Sequence, residues 1–185
     1  NTANIGLENT DITTNERGAI VVNDTCESSV PGVYAVGDVN GGPQFTYISL
    51  DDFRIVFGAL TGNGQYTLKD RKNIPYTTFL TPPLARIGLT EEDSINKGYT
   101  VKTKEMLVAT MPRAHVNDYL KGAFKIVVNA DNDLILGATL YSQGAEELIN
   151  LIKMAMDNNI PYTYFKNQIF THPTMAENLN DLCNF

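Results

Sequence analysis

The pattern of apolar and polar positions changes about a third of the way along the chain. The first residues are polar and rich in turn formers, and short apolar runs at 19–22 and 32–38 predict two strands. Residues 46–60 fit a helix, and Gly62-Asn63-Gly64 ends it. A linker is predicted over 62–73.

From residue 74 onward, strand patterns dominate the chain. The hairpin turn Asp131-Asn132-Asp133 joins the last two of them. The predicted strands cover residues 74–80, 84–89, 100–110, 123–129 and 134–141.

Helices are predicted between and after these strands. Thr90 to Asp93 resembles a capping box, in which a hydroxyl and a carboxylate satisfy the first N–H groups of a helix. Apolar residues repeat every three or four positions between Ala145 and Asn158, which predicts one buried stripe. Residues 173–182 predict a shorter amphipathic helix. Antiparallel strands with helices on one face indicate an α+β domain.

Composition and charge narrow the classes of partner. The chain has 185 residues, 43% of them hydrophobic, which is enough for one ordinary domain or two small ones. A formal net charge of −7 argues against a nucleic acid or an anionic membrane as partner, because both require clustered Lys and Arg. No apolar run approaches the ~18 residues that span a bilayer, and residues 1–4 lack the features of a signal peptide. We therefore expect a cytoplasmic protein.

The cysteines and one histidine offer little chemistry of their own. Cys26 and Cys183 lie far apart with no paired spacing, which predicts free, reduced thiols. His115 falls in a polar stretch, 113–118, where we expect an exposed loop. No partner residues for a metal ion accompany it.

The first candidate site follows the strand predicted at 32–38. Gly37 permits close approach of a ligand to the backbone, and Asp38 is presented at the carboxyl end of the strand, where α/β sheets bind ligands. A carboxylate there accepts hydrogen bonds from sugar or ribityl hydroxyls. An ordinary turn also favours Gly and Asp, so the residues alone leave both interpretations open.

The second candidate site is Thr171-His172-Pro173-Thr174-Met175-Ala176-Glu177. Pro173 restricts His172 to extended geometry and is suited to open a helix, so Glu177 is expected about one turn inside that helix. A carboxylate on one ring nitrogen raises the basicity of the imidazole and leaves the other nitrogen for proton transfer. A helix start with a solvated Glu explains the same residues equally well.

Both sites resemble those of the class I pyridine nucleotide–disulfide oxidoreductases, the FAD-dependent family of glutathione reductase, dihydrolipoyl dehydrogenase and mercuric reductase. Residues 30–39 are similar to its second FAD-binding motif, and His172-Pro173-Thr174 followed by Glu177 resembles its signature near the C-terminus. Further matches in the order and spacing of the family are Pro82-Pro83, Ile87-Gly88-Leu89-Thr90-Glu91, Gly122-Ala123-Phe124-Lys125, Ile135-Leu136-Gly137-Ala138 and Gly144-Ala145-Glu146-Glu147.

The resemblance implies a division of the chain and a cofactor site. Residues 1–70 would be the C-terminal segment of a Rossmann-like FAD-binding domain plus a linker, and residues 71–185 the dimerisation (interface) domain. Gly37 and Asp38 would bind the ribityl chain of FAD. Phe45-Thr46-Tyr47, at the start of the helix, would face the flavin ring.

The same resemblance implies an acid–base pair that acts across a homodimer formed through residues 71–185. His172 would transfer protons in the partner subunit's active site, with Glu177 orienting the ring. FAD and NAD(P)H are the implied cofactors, and a small-molecule or disulfide compound is the implied substrate. The helix with Leu148, Ile149 and Ile152 and the C-terminal helix would contribute to the dimer contact. The Thr81–Pro82 and His172–Pro173 peptide bonds would be cis.

The chain also departs from the family pattern. The GxGxxG FAD fingerprint, the CxxxxC redox pair and the nicotinamide-binding domain are absent, so we expect the chain alone neither to bind FAD firmly nor to turn over. Cys183 is single, unlike the cysteine pair near the C-terminus of mercuric reductases, which argues against mercury as substrate.

Within the family, residues 170–175 and 180–182 are similar to the bacterial reductases of oxidised-halogen stress, including hypothiocyanous acid reductase. Dihydrolipoyl dehydrogenase is the competing assignment within the family. The alternative is a non-catalytic α+β homodimerisation or binding module.

Overall fold

The computed structural model describes residues 2–185 and divides the chain into two compact units. The first unit ends at Lys72, and the second spans Asn73–Phe185. Among the described residues, no helix is both long and apolar enough to cross a membrane.

The first unit is built around one long helix, α1, over Thr46–Thr61. Its residues Ile48 and Ile55 are buried, and Gly62 ends the helix in the left-handed conformation at a φ of 74°. The helix predicted over 46–60 and its glycine stop are therefore confirmed. Tight turns and 3-10 segments make up the rest of this unit; these segments lie at Leu7–Asn9, Gly37–Asn40 and Leu68–Asp70.

The strands predicted at 19–22 and 32–38 are wrong as continuous elements. Within the described part of the chain, Ile20 and Tyr34 each form one isolated antiparallel bridge. A strand requires a neighbour that pairs with several of its residues in succession, and these segments find such a partner at one position only. The second segment then turns into the 3-10 helix Gly37–Asn40.

Within Asn73–Phe185, a five-stranded antiparallel sheet has the order β1-β2-β5-β4-β3. All five predicted strands are present and the hairpin turn through Asp133 is confirmed, but two strands are shorter than predicted. Only residues 76–78 of the strand predicted at 74–80 pair in the sheet, and residues 108–110 form a 3-10 segment at the end of β3. The strands are β1 (Tyr76–Thr78), β2 (Leu84–Gly88), β3 (Val101–Leu107), β4 (Ala123–Asn129) and β5 (Ile135–Tyr141).

Helices cover this sheet because their apolar stripes match the apolar face of the strands. Helix α4 packs against β2 and β5, with Leu148, Ile149 and Ile152 buried. Together with Phe124 and Leu140 of the sheet, they belong to one core cluster. The helices are α2 (Glu91–Asn96), α3 (Pro112–Val116), α4 (Ala145–Asp157), α5 (Tyr162–Asn167) and α6 (Asn178–Leu182).

The predicted capping box at the start of α2 is confirmed. Thr90 Oγ1 accepts a hydrogen bond from the backbone N–H of Asp93 at 2.9 Å, and the Asp93 carboxylate accepts one from the backbone N–H of Thr90 at 3.2 Å. The two peptide bonds expected to be cis, Thr81–Pro82 and His172–Pro173, are both cis.

Three local predictions differ from the structure. Helix α6 begins at Asn178, whereas the sequence prediction began at Pro173, because Thr174 and Glu177 hydrogen-bond each other in a turn that precedes it. His115 lies in α3, although it is exposed as expected. Helix α5 has no counterpart in the sequence prediction.

Candidate functional site

The turn that carries His172 is anchored to the core by α6. Leu179 and Leu182 have no exposed surface. Asn178, only 1% exposed, donates hydrogen bonds from Nδ2 to the backbone oxygens of Thr174 and Met175, each at 3.1 Å. The turn is therefore held in place from its carboxyl-terminal side.

His172 and Glu177 are brought into direct contact. Nδ1 of His172 lies 2.7 Å from Oε2 of Glu177. The imidazole is 68% exposed, whereas the Glu177 carboxylate is 19% exposed. Glu177 stands at the N-cap of α6, which corrects the expected position one turn inside a helix. The pair is thus assembled within a single turn, and its catalytic role stays a prediction.

The hydrogen bonds around Glu177 keep it ionised. The contact with His172, followed by the backbone hydrogen bond from Thr174, lowers the pKa of Glu177 below its ordinary value. The Thr174 bond runs from the backbone N–H to Oε1 at 3.0 Å, so both carboxylate oxygens are engaged. An ionised acceptor at Nδ1 fixes the neutral imidazole with its proton on that atom, which leaves Nε2 as the basic nitrogen. Among the described residues, none is hydrogen-bonded to Nε2.

In the first unit, Asp38 lies in a polar cleft of about 670 Å³. Val39, Gly41, Arg17 and Gly18 are among the residues that line it. The side chain of Asp38 is exposed. The structure therefore leaves this carboxylate accessible from the cleft, and its role as a cofactor ligand stays a prediction.

Gly37, immediately before Asp38, is required by both backbone and packing. It is buried and has a φ of 72°, in the left-handed region that favours glycine. A Cβ atom at this position would lie 2.6 Å from Ser49 Oγ of α1. The turn therefore packs directly on the helix.

The three residues expected near a flavin ring stand at the start of α1. The rings of Phe45 and Tyr47 stack with their centroids 5.0 Å apart and an interplanar angle of 8°. Thr46 and Tyr47 are exposed, and Phe45 is half-buried. The first turn of this 16-residue helix carries a partial positive charge, which favours an anionic group close by. Contact with a flavin is a prediction for all three.

Neither cysteine is suited to redox chemistry. Cys26 and Cys183 are both free and buried. Burial, with a smaller contribution from Asp52, raises the pKa of Cys26 to about 11, and burial raises the pKa of Cys183 to about 12. The reactive thiolate is therefore scarce at neutral pH. In the part of the chain that the structure describes, no three His, Cys, Asp or Glu side chains are arranged to hold a metal ion.

A buried ion pair in the first unit escaped the sequence prediction. Asp52 of α1 has no exposed surface and pairs with Arg71, which also pairs with Asp51. The sequence does indicate that Asp52 is buried, because it falls between Ile48 and Ile55 on the apolar side of the helix, but it does not identify Arg71 as the partner. A carboxylate at such a position is rarely buried unless it is paired.

Comparison with known proteins gives the same family for both units. The pyridine nucleotide-disulphide oxidoreductase dimerisation domain matches residues 74–183, and the pyridine nucleotide-disulphide oxidoreductase family matches residues 1–52. The probable pyridine nucleotide-disulfide oxidoreductase RclA of Escherichia coli strain K12 is 47% identical over 181 residues, covering 98% of this chain and 41% of RclA. A mercuric reductase of Staphylococcus aureus is 33% identical over 179 residues, covering 97% of this chain and 32% of the relative.

A solved structure supports the same conclusion. The HOCl-induced flavoprotein disulfide reductase RclA from Escherichia coli matches with a TM-score of 0.95 and 46% identity, over 99% of this chain and 42% of that one. The chain therefore spans about two fifths of the length of RclA. By fold and by sequence, it belongs to the pyridine nucleotide-disulphide oxidoreductase family, and its residues 74–183 match the dimerisation domain of that family.

Proposed function

We propose that the full-length protein is a homodimeric, FAD-dependent NAD(P)H oxidoreductase that reduces a disulfide or another oxidised sulfur compound. In this proposal, His172 is the general acid–base and acts in the active site of the partner subunit, while Glu177 orients it. Residues 1–70 complete the FAD-binding domain, and residues 71–185 form the dimer interface. A cytoplasmic location belongs to the same proposal, since such chemistry depends on reduced thiols.

The hydrogen-bonded pair of His172 and Glu177 is the observation that carries this proposal. One nitrogen of the ring is held by an ionised carboxylate at 2.7 Å, and the ring itself is largely exposed. A side chain held in this way has an accessible basic nitrogen but no reacting partner among the described residues of its own chain. That arrangement suits proton transfer to a group supplied by another subunit.

The first unit supports the cofactor assignment. Asp38 presents an exposed carboxylate in a polar cleft, as an acceptor for the hydroxyl groups of the ribityl chain requires. Phe45, Thr46 and Tyr47 would bring the N-terminus of α1 to the ring system. When bound, FAD would pass electrons from NAD(P)H to a redox disulfide, and the residues of this chain would position it and manage protons.

The test uses the purified full-length protein. We expect a yellow protein with visible flavin absorbance, which NAD(P)H bleaches without air and a small disulfide compound restores. Asp38→Ala should lower the amount of flavin that copurifies, whereas Asp11→Ala, at another exposed carboxylate of the first unit, should not. A colourless full-length dimer that binds no flavin would instead support a non-catalytic dimerisation module.

A further inference from the structure

The buried carboxylate of Asp52 has no part in the acid–base pair and does not line the cleft that contains Asp38. It lies on the apolar side of α1 between Ile48 and Ile55, and it is completely buried. Burying an ionised side chain is costly unless it is paired and hydrogen-bonded. The groups that hydrogen-bond to Asp52 therefore indicate which part of the structure the buried carboxylate holds in place.

Two of those partners belong to the turn around Asp38. Oδ2 of Asp52 accepts a hydrogen bond from the backbone N–H of Gly37 at 2.8 Å and another from Nδ2 of Asn40 at 2.9 Å. Gly37 and Asn40 are the first and last residues of the 3-10 segment that contains Asp38. One carboxylate oxygen thus ties together both ends of the turn that presents Asp38.

Arg71 holds the other carboxylate oxygen. Its Nη2 donates to Oδ1 of Asp52, and its Nε donates to Oδ2 of Asp51 at 2.7 Å. The Arg71 side chain is only 10% exposed, so the guanidinium compensates the buried charge away from bulk water. The guanidinium is a rigid, planar donor, and its second contact with Asp51 holds it beside Oδ1 of Asp52.

Asn40 extends the network within the turn. Its Nδ2 also donates to the backbone oxygen of Ala35 at 3.2 Å, and its Oδ1 accepts from the backbone N–H of Gly42 at 3.0 Å. These bonds join the residues before and after the turn. The whole segment from 35 to 42 is therefore fixed to α1, the helix that begins at Thr46.

We propose that Asp52, held by Arg71, is a positioning residue that sets the turn of Gly37–Asn40 so that Asp38 meets the polyol chain of a bound flavin dinucleotide. This inference rests on the proposed function. Asp52 acts only through the turn that carries Asp38. An aspartate suits this position because each of its contacts is with a donor, and an asparagine would direct its own N–H₂ group at one of them.

The substitution Asp52→Asn in the full-length protein tests the positioning role of Asp52. We expect the dissociation constant for FAD to rise about 10- to 100-fold, as when a buried hydrogen bond to a charged group is lost. The visible circular dichroism of the variant saturated with FAD should also differ from that of the wild type. Loss of global stability alone would leave that spectrum unchanged, provided that both proteins are measured well below their unfolding temperatures.

Asp24→Asn is the matched control. Asp24 forms an exposed ion pair with Lys69 in the same unit and does not contact the turn. We expect its FAD dissociation constant to stay within about twofold of the wild-type value, as for most surface ion pairs. If Asp52→Asn does not fold, Asn40→Ala tests the positioning role instead. This change removes the hydrogen bonds from the Asn40 side chain to Asp52, Ala35 and Gly42, and it leaves the Asp52–Arg71 ion pair intact. We expect it to raise the FAD dissociation constant as well.

Wild-type FAD affinity and spectrum in a folded Asp52→Asn variant, or in Asn40→Ala where the first does not fold, would overturn the positioning role while leaving the proposed function intact. A wild-type protein that binds no FAD would instead overturn the proposed function and this inference together. The wild-type measurement therefore separates the two failures.

Discussion

Oε2 of Glu177 lies 2.7 Å from Nδ1 of His172, while the other oxygen of the same carboxylate accepts a hydrogen bond from the backbone of Thr174. The carboxylate is thereby tied to the turn on one side and to the ring on the other. Since His172 and Glu177 are five positions apart in the sequence, the turn between them sets the orientation of the imidazole. The pair is a local structure whose exposed end is the nitrogen Nε2.

Replacing His172 tests the acid–base role. In the full-length enzyme, His172→Ala should reduce disulfide turnover by about 10²–10⁴, the usual contribution of general acid–base catalysis. Flavin reduction by NAD(P)H, followed by stopped-flow absorbance, should remain nearly intact because that step does not require this proton carrier. His115→Ala is the control, since His115 is exposed and contacts the backbone oxygen of Ala109. Wild-type turnover in the His172 variant would refute the assignment.

Replacing Glu177 tests the orienting role. Glu177→Gln should reduce turnover less than His172→Ala does, because the ring remains and solvent partly replaces the carboxylate. On a His172→Ala background, Glu177→Gln should change turnover no further, because the carboxylate acts only through the ring. A further loss of turnover on that background would show that Glu177 does not act through His172.

The lowered pKa of Glu177 predicts how stability depends on pH. The folded state binds this proton more weakly than the unfolded state, whose carboxyl has the ordinary value of 4.5. Its contribution is therefore fully present well above pH 4.5 and is lost as the pH falls through the lower, folded pKa. In urea unfolding of this chain, the difference between wild type and Glu177→Gln should be largest near neutral pH and shrink in acid. The shrinkage should be smaller on a His172→Ala background, where the main hydrogen bond is missing.

Thiol reactivity tests the burial of both cysteines. With pKa values raised to about 11 and about 12, Cys26 and Cys183 should not react with an aromatic disulfide reagent at pH 8 in the folded chain. In denaturant, both thiols should react rapidly. Fast modification of the native chain would mean that one of these sites opens to solvent.

The dimer contact makes a prediction about Ile169. This side chain is 92% exposed and lies three residues before His172, which the proposal places in the partner subunit's active site. We expect the isolated chain to sediment as a dimer at tens of micromolar and to bury more than ~1,000 Å² in doing so. Ile169→Asp should shift it towards monomer, whereas Ile95→Asp, in the exposed part of α2, should not. A monomeric wild-type chain would contradict the predicted interface.

The predicted role of helix α4 in the dimer contact is limited to its outer side, because its inner side is buried. Leu148, Ile149 and Ile152, which identify the helix in the sequence, are buried in the unit's own core. The apolar residues that α4 exposes are Leu151 and Met154. The spacing of apolar residues locates the side of a helix that is buried in its own domain, but it does not show which exposed side contacts a partner subunit.

Elements whose signals are local could be predicted from the amino-acid sequence alone. Helix α1, the capping box at Thr90 and the strands of the second unit follow from periodicity and from hydrogen bonds between residues a few positions apart. The contact between His172 and Glu177 is also local, but the residues alone left it open against a solvated Glu, and the family resemblance was needed to predict it. The motifs quoted from the sequence also identified the family that the comparisons confirm.

Features that depend on partners distant in the sequence became visible only in the folded chain. The runs at 19–22 and 32–38 have strand composition, yet they are not strands here because each finds a pairing partner at one position only. Asp52 and Arg71 meet across 19 residues of chain, and no local pattern predicts that contact. A buried charge is stable only where folding brings its counter-charge and donors to it, so its partners emerge from the packed structure alone.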